Sequence, residues 1–377
     1  MLTEALVAQH PGAEFIYRSI HIDTNLRANE VLIQMRATGV CHTDLNFRDE
    51  DSIPGLHPAV FGHEGAGVVL EVGSSVTRTL PGDHVVLTYS CCGSCKYCKR
   101  KETSFCYDWE RDNFGVGRGV DGSKAFFAEE EDGAGAITSH FFGQSSFAKL
   151  AVVVETCCVK IAREDFGEVL APLGCGIQTG AGAMLNVVKP SEDSTVLVVG
   201  AGAVGLAALM ALKLLPSPPG MVIAVDVVPE RLEMARKYGA THVVNSKENA
   251  DLKSALRELT AGKGVDGAID TTGRPEILRT LLESSANKGT VVSVGVGKLT
   301  AEVSTVIFDT VNSGRSYVGC CMGNCYPQEF IPKLIAAWKE GKFPFTDLIK
   351  TYSAQDMNTA AKDVLKGEVV KAVLLWE

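Results

Sequence analysis

The sequence predicts a two-domain α/β protein: a β-rich domain first, then a doubly wound parallel sheet. Three observations carry that expectation. Short apolar runs split by turns fill the first part of the chain, with no dominant helical period. From Thr195 onward apolar strands alternate with helical stretches, the pattern of crossover helices on a parallel sheet. One of those strands runs directly into a Gly-x-Gly-x-x-Gly turn. The expected division is residues 1–178, then 179–320, with 321–377 returning to the first domain, because the strand–helix alternation fades near Cys320.

Taken in order, Val31–Met35 and Gly67–Gly73 read as strands, and Pro81-Gly82-Asp83-His84 is a turn before the Val85–Leu87 strand. Cys41-His42-Thr43-Asp44 follows Gly39 and can open a short helix, since Thr and Asp both cap. Gly62-His63-Glu64-Gly65 offers an imidazole nitrogen. With thiolates from Cys41 and Cys175 it fills three corners of a tetrahedral zinc site. An open fourth corner, free for water or an alcohol oxygen, marks a catalytic rather than a structural site. The competing reading makes His63 an ordinary core histidine.

The densest signal is Cys92-Gly-Ser-Cys95-Lys-Tyr-Cys98, followed by Cys106, a lobe spanning 91–106. Four thiolates at this spacing suit a closed structural zinc site. Free or disulfide-linked cysteines and an iron–sulfur cluster are the alternatives. Cys91 is expected to point away from the site. Residues 107–142 contain Gly115, Gly117, Gly119 and Gly122 and the acidic run Glu129–Asp132. No apolar strand precedes these glycines, so they read as an irregular surface excursion rather than a phosphate loop, with a lid as the functional alternative. Phe147–Val154 resumes as a strand.

A helix is expected from about Leu173 to Val188. Thr195–Val199 is a fully buried strand, and Gly200-Ala-Gly202-Ala-Val-Gly205 follows it. Gly200 permits the turn, Gly202 admits a pyrophosphate, and Gly205 lets helix and strand pack closely. A helix over Leu206–Leu215 supplies the N-terminal dipole for the phosphates. Asp226 ends the next strand, where a carboxylate bonds ribose hydroxyls and repels a 2′-phosphate. That favours NAD over NADP, with Arg231 as the nearby cation that tempers the preference. A helix from Pro229 to Tyr238 and strands at 265–270, 289–294 and 316–319 complete the unit.

Composition excludes other classes. The chain has 377 residues, 46% of them hydrophobic, enough for two or three cores. A net charge of -9 gives no footprint for nucleic acid or an anionic membrane. No apolar run of about 18 residues appears, so no membrane span is expected. The N-terminal residues do not read as a signal peptide. Twelve cysteines without an export signal read as reduced, metal-holding thiols of a cytoplasmic protein.

These motifs resemble, in order and over nearly the whole chain, the zinc-containing medium-chain alcohol dehydrogenases, with aryl (benzyl) alcohol dehydrogenases as the nearer subgroup. The resemblance implies a GroES-like catalytic domain and a Rossmann coenzyme domain. It implies that Cys41, His63 and Cys175 hold a catalytic zinc and that Cys92, Cys95, Cys98 and Cys106 hold a structural one, two zinc ions per chain. Glu64 would enter the coordination sphere transiently, and Asp44 would orient His63. Thr43 would pass on the alcohol proton, and His42 and Lys371 would face the pyrophosphate of NAD. The plainer readings are caps for Thr43 and Asp44, packing polarity for Glu64, and solvated charge for His42 and Lys371. Many relatives carry a histidine where this sequence has Asn46, so the relay is expected to end at Thr43, the cofactor ribose and water. By analogy Thr88, Phe105 and Phe147 would line the pocket. The expected reaction is hydride exchange between a primary alcohol, aromatic or otherwise unsaturated, and NAD, with the aldehyde as partner, in a homodimer or homotetramer. A polyol or thiol-adduct dehydrogenase of the same fold, or a non-catalytic NAD(H)-binding redox sensor, are the alternatives.

Overall fold

The computed structural model describes residues 1–129, 135–249, 251–298 and 300–377. Glu130, Glu131 and Asp132 of the acidic run lie outside the described residues. The chain forms two compact units. The first comprises Met1–Cys175, Tyr326–Ile335 and Thr346–Glu377, and the second Gly176–Cys325 with Ala336–Phe345.

In the first unit the central strand is Glu30–Gly39. It pairs antiparallel with Gly65–Val72, Leu150–Val154 and Lys371–Leu375. Val31, Leu32, Ile33, Met35 and Ala37 are all buried, so this strand carries apolar contacts on both faces. Lys371–Leu375 explains why the C-terminal segment returns: it registers against the strand that leads into Cys41. Val40 donates its N–H to Ala372 O at 2.9 Å, which fixes that exit.

The excursion is more ordered than the sequence suggests. It holds a helix, Trp109–Phe114, and two short strands, Phe126–Phe127 and Ala136–Ile137. Those strands extend the sheet built from Leu2–Ala8 and Ile16–Ile22. Arg118 is the physical reason. It is buried and donates to Glu30 at 2.7 Å, with Asp23 at 3.4 Å, so a charge pair anchors the segment to the central strand.

In the second unit the six strands of the parallel sheet run, in order, His242–Asn245, Met221–Asp226, Thr195–Val199, Val265–Asp270, Ser285–Ser293 and Ser316–Gly319. The chain builds outward from Thr195–Val199 on one side, then crosses to build the other. That reversal leaves a crevice at the carboxyl ends of Thr195–Val199 and Val265–Asp270. His242–Asn245 was not expected from the sequence; four residues are too short a run for the period to show. Leu252, Leu256, Leu278 and Leu281, from two crossover helices, pack with Ile223, Val225 and Val291 into one core.

The expected helix over 173–188 is instead broken at Cys175. A 3₁₀ stretch, Glu168–Gly174, ends there, and Cys175 takes φ -141°, ψ -90° before the helix Gly176–Gly182 and a π turn, Ala183–Val188. Pro172 removes a helical N–H. Gly174 lies so close to Leu87 that a Cβ would stand 1.9 Å from the Leu87 carbonyl oxygen. The helix after the glycine turn is Ala203–Met210, followed by a 3₁₀ turn, Ala211–Leu214. Among the described residues, no helix is long and apolar enough to cross a membrane.

Candidate active site and metal centres

The end of the Glu30–Gly39 strand, the turn before Gly65–Val72 and the break at residue 175 converge. They bring one side-chain donor atom from each of Cys41, His63, Glu64 and Cys175 within 4.8 Å of one another. His63 is wholly buried. Its Nδ1 lies 2.7 Å from Asp44 Oδ1, while its Nε2 has no hydrogen-bond partner among the described residues. A buried ring nitrogen without a partner is costly unless something else meets it, and two sulfurs stand beside it. A tetrahedral cation with an open fourth position fits this donor set.

Asp44 also accepts from the backbone of Gly62 at 3.1 Å and Cys41 at 3.0 Å. Its carboxylate therefore joins the two ends of the site as well as orienting the ring. Burial pushes the His63 pKa down, but Asp44 and the Cys41 thiolate outweigh it and hold the ring well above its ordinary value. The Cys175 thiol, as hydrogen-bond donor, holds Cys41 well below the usual thiol range.

Lys371 is not the solvated charge of its plainer reading. It is buried, and its Nζ donates to Glu64 Oε1 at 2.7 Å and to Val40 O at 3.1 Å. The amine is thus engaged by Glu64; a buried carboxylate needs a partner charge, and Lys371 supplies it. Burial lowers the Lys371 pKa, yet the charges of Glu64 and Cys41 raise it overall. Gly39 makes room for this carboxylate, since a Cβ there would meet Glu64 Oε2 at 1.9 Å.

Thr43 is half-buried, with its Oγ1 3.7 Å from Cys41 Sγ; His42 and Asn46 are exposed on the same short helix, His42–Asp49. Phe105 lies in the cysteine lobe, 6.5 Å from the Tyr97 ring, and Phe147 packs edge-on to Phe15. Thr88 is buried, its hydroxyl donating to Gly174 O at 2.8 Å. The aromatic rings against the site are others. Phe142 stacks on the His63 ring at 4.5 Å, and Phe141 meets it edge-on at 5.7 Å. Phe114 and Phe47, both half-buried, continue the cluster. A Phe-Phe pair before a Gly-Gln turn was the available signal in the sequence, and it carries no period.

The second cluster brings the sulfurs of Cys92, Cys95, Cys98 and Cys106 within 4.8 Å of one another. Backbone N–H groups of Cys92, Cys95 and Asp108 point at these sulfurs at 3.3 to 3.4 Å. Hydrogen bonds from the Cys98 and Tyr107 backbone pull Cys95 down to about 6, whereas burial pushes Cys98 up to about 12. A cation is what lets all four share the thiolate state. All twelve cysteines are free thiols, so the disulfide reading falls away. Cys91 does not point away as expected: it is buried and packs against Cys98 and Cys106, though it is not one of the four.

In the second unit the three glycines have distinct surroundings. Gly200 has φ +90°, and a Cβ there would meet Thr271 Oγ1 at 2.1 Å. A Cβ on Gly205 would stand 1.8 Å from Gly200 O, while around Gly202 nothing lies within 4 Å. A turn, an open approach and a close packing point are what a pyrophosphate cradle requires. Asp226 is nearly buried; one oxygen accepts from Ala201 N at 2.6 Å, the other from Val227 N at 2.7 Å and Val228 N at 2.9 Å. Arg231 is half-buried, and its Nε has no hydrogen-bond partner among the described residues.

Residues 27–163 match the family described as alcohol dehydrogenase GroES-like domain, and residues 203–340 match zinc-binding dehydrogenase. A geraniol dehydrogenase of Castellaniella defragrans is 36% identical across 99% of this chain and 97% of its own length. The chain belongs to the zinc-binding alcohol dehydrogenases. An S-(hydroxymethyl)glutathione dehydrogenase of Escherichia coli is 33% identical over the full length of both chains. The crystal structure of benzyl alcohol dehydrogenase from Acinetobacter calcoaceticus superposes with a TM-score of 0.92, at 38% identity over all of both chains. This alcohol dehydrogenase is therefore a zinc- and NAD-using oxidoreductase that exchanges hydride between an alcohol and its carbonyl product.

Proposed function

We propose that the enzyme interconverts primary alcohols bearing an aromatic or otherwise unsaturated group with their aldehydes. The observation that carries this reading is the ring cluster at His63, with Phe142 stacked on the imidazole and Phe141 edge-on to it. A flat unsaturated substrate gains ring contacts there that a short alkyl chain cannot make. The relatives named geraniol and benzyl alcohol dehydrogenase fit the same class.

Cys41, His63 and Cys175 are read as holding the catalytic zinc, Cys92, Cys95, Cys98 and Cys106 the structural one. Bound zinc supplies Lewis acidity at the substrate oxygen, and bound NAD supplies the hydride chemistry. Asp44 orients His63, and Glu64, tethered by Lys371, is a spare oxygen donor at the site. Thr43 Oγ1 would accept the alcohol proton as it gives up its own hydroxyl proton, so it relays the proton rather than storing it. Asn46 accepts no proton near neutral pH, so the proton released by Thr43 would go to water or, with NAD bound, to its ribose. Gly200, Gly202, Gly205 and Asp226 bind NAD, with His42 and Lys371 toward its pyrophosphate and Arg231 as the cation near Asp226 that tempers the preference for NAD over NADP. Reduced thiols support a cytoplasmic enzyme.

We read the assembly as a homodimer or homotetramer. Among the described residues the parallel sheet has two unpaired edges, His242–Asn245 and Ser316–Gly319; the second is the apolar one. Beside it Val306, Ile307, Phe308, Val311 and Tyr317 are exposed. Apolar edges of this kind are ordinarily covered, and a two-fold axis would let the same patch meet itself.

The test is NADH absorbance over a panel of alcohols and aldehydes, with S-(hydroxymethyl)glutathione as the competing class. Unsaturated primary alcohols should give the highest kcat/KM, and a chelator should remove the activity. Elemental analysis should find two zinc ions per chain. His63→Ala or Cys41→Ala should abolish turnover and leave one. Preference for the glutathione adduct, or activity indifferent to both substitutions, would overturn the reading. Asp226→Gly should erode the preference for NAD over NADP.

A further inference from the structure

We infer that Gln144 is a positioning residue that sets the spacing of His63 and Cys175 before any metal arrives. The inference rests on the reading of those two residues as ligands of the catalytic zinc. Gln144 is wholly buried. Its Nε2 donates to His63 O at 3.0 Å and to Thr88 O at 2.8 Å, and its Oε1 accepts from Gly65 N at 3.1 Å. One amide thus grips the main chain on both sides of Glu64. Thr88 continues the link, its hydroxyl donating to Gly174 O at 2.8 Å, one peptide before Cys175. The two ligand-bearing segments, far apart in sequence, are joined by two side chains and no metal.

The segment carrying Gln144 is shaped for this task. His140, Phe142, Gly143 and Ser145 all have positive φ, 65°, 52°, 68° and 50°. Three of these are not glycine, and side-chain-bearing residues rarely adopt this conformation, so the surroundings must hold the segment in place. They do so against the ligand turn. Ser145 Oγ donates to Val60 O at 2.7 Å, Ser146 N to Gly62 O and Phe147 N to Phe61 O, both at 3.0 Å. A Cβ on Gly62 would stand 2.5 Å from Phe147 N. Gln144 directs its polar atoms at backbone groups, so it acts through the ligands and not on a substrate.

The experiment compares wild type, Gln144→Met and Gln144→Glu. Met keeps the volume and loses all three hydrogen bonds; Glu keeps the shape but sets a carboxylate against two carbonyl oxygens. The catalytic site of each is emptied and titrated with Zn²⁺ and with Co²⁺ against a competing chelator. The affinity of that site should fall about 10- to 100-fold, the usual effect of losing an outer partner of a ligand. The Co²⁺ absorption bands of that site should also change, while the four-cysteine site and the NAD dissociation constant stay at wild-type values. Wild-type affinity in both variants would overturn the inference. So would a parallel loss of metal from both sites, since that would make Gln144 a general packing residue. If the Gln144 variants do not fold, Thr88→Val, which removes only the hydroxyl on Gly174 O, should weaken the same site alone, and unchanged affinity there refutes the link. A wild-type protein that binds one zinc would refute the ligand reading itself.

Discussion

At the scale of the residue, the site is defined by who holds each polar atom. Asp44 uses its carboxylate on one imidazole N–H and two backbone N–H groups, and Glu64 is balanced by Lys371. Asp44→Asn keeps the volume but removes the charge that makes His63 a better donor. It should weaken the catalytic zinc about 10- to 100-fold, read by chelator competition, with the four-cysteine zinc retained. Cys41, His63 and Cys175 were legible in the sequence as candidate metal donors, because each sits in a short glycine-containing motif. Gln144 was not, nor was the pairing of Lys371 with Glu64. Amides and lysines are ordinary surface residues, and only their burial reveals what they do.

At the scale of the element, residues 107–127 depend on a buried charge cluster. Burial pushes the Glu30 carboxyl up, but hydrogen bonds from His140, the Arg27 backbone and Arg118 outweigh it and hold it at about 2. The ordinary value is 4.5. The charged form therefore favours the fold at every pH above 4.5, and that contribution is lost as pH falls from 4.5 toward 2. His140 adds in the same direction. Burial keeps it neutral below its ordinary 6.5, so acid must force a charge into the interior. Acid unfolding followed by circular dichroism should show this loss in the wild type and a shallower dependence over pH 4.5 to 2 in Glu30→Gln. Arg118→Met leaves Glu30 buried without its ion-pair partner and should cost about 3–5 kcal/mol in a urea melt. Protection of residues 109–127 from hydrogen exchange should be lost first. The sequence marked this stretch as an irregular loop because its glycines and charges have no period; Arg118 becomes an anchor only when Glu30 faces it.

At the scale of the whole molecule, the helix Ile307–Ser313 beside the Ser316–Gly319 edge strand is an apolar face left uncovered in a single chain, with Ile307 80% and Phe308 75% exposed. Phe308→Asp should shift the assembly toward monomer in light scattering while zinc content per chain is unchanged; an unaltered mass would remove this face from the interface. By itself the sequence determined the two-unit plan, the cysteine lobe, the glycine cradle with Asp226 and the metal donors. Each of these is a local pattern, set by spacing, turn chemistry or period. The tertiary structure alone decided which aromatic rings meet His63, that Lys371 answers Glu64, that Cys91 packs inward, and that Gln144 grips the main chain at His63, Gly65 and Thr88. Those contacts join segments far apart in the chain, where no local preference is expressed and only the packing of the folded core brings the groups within hydrogen-bond reach.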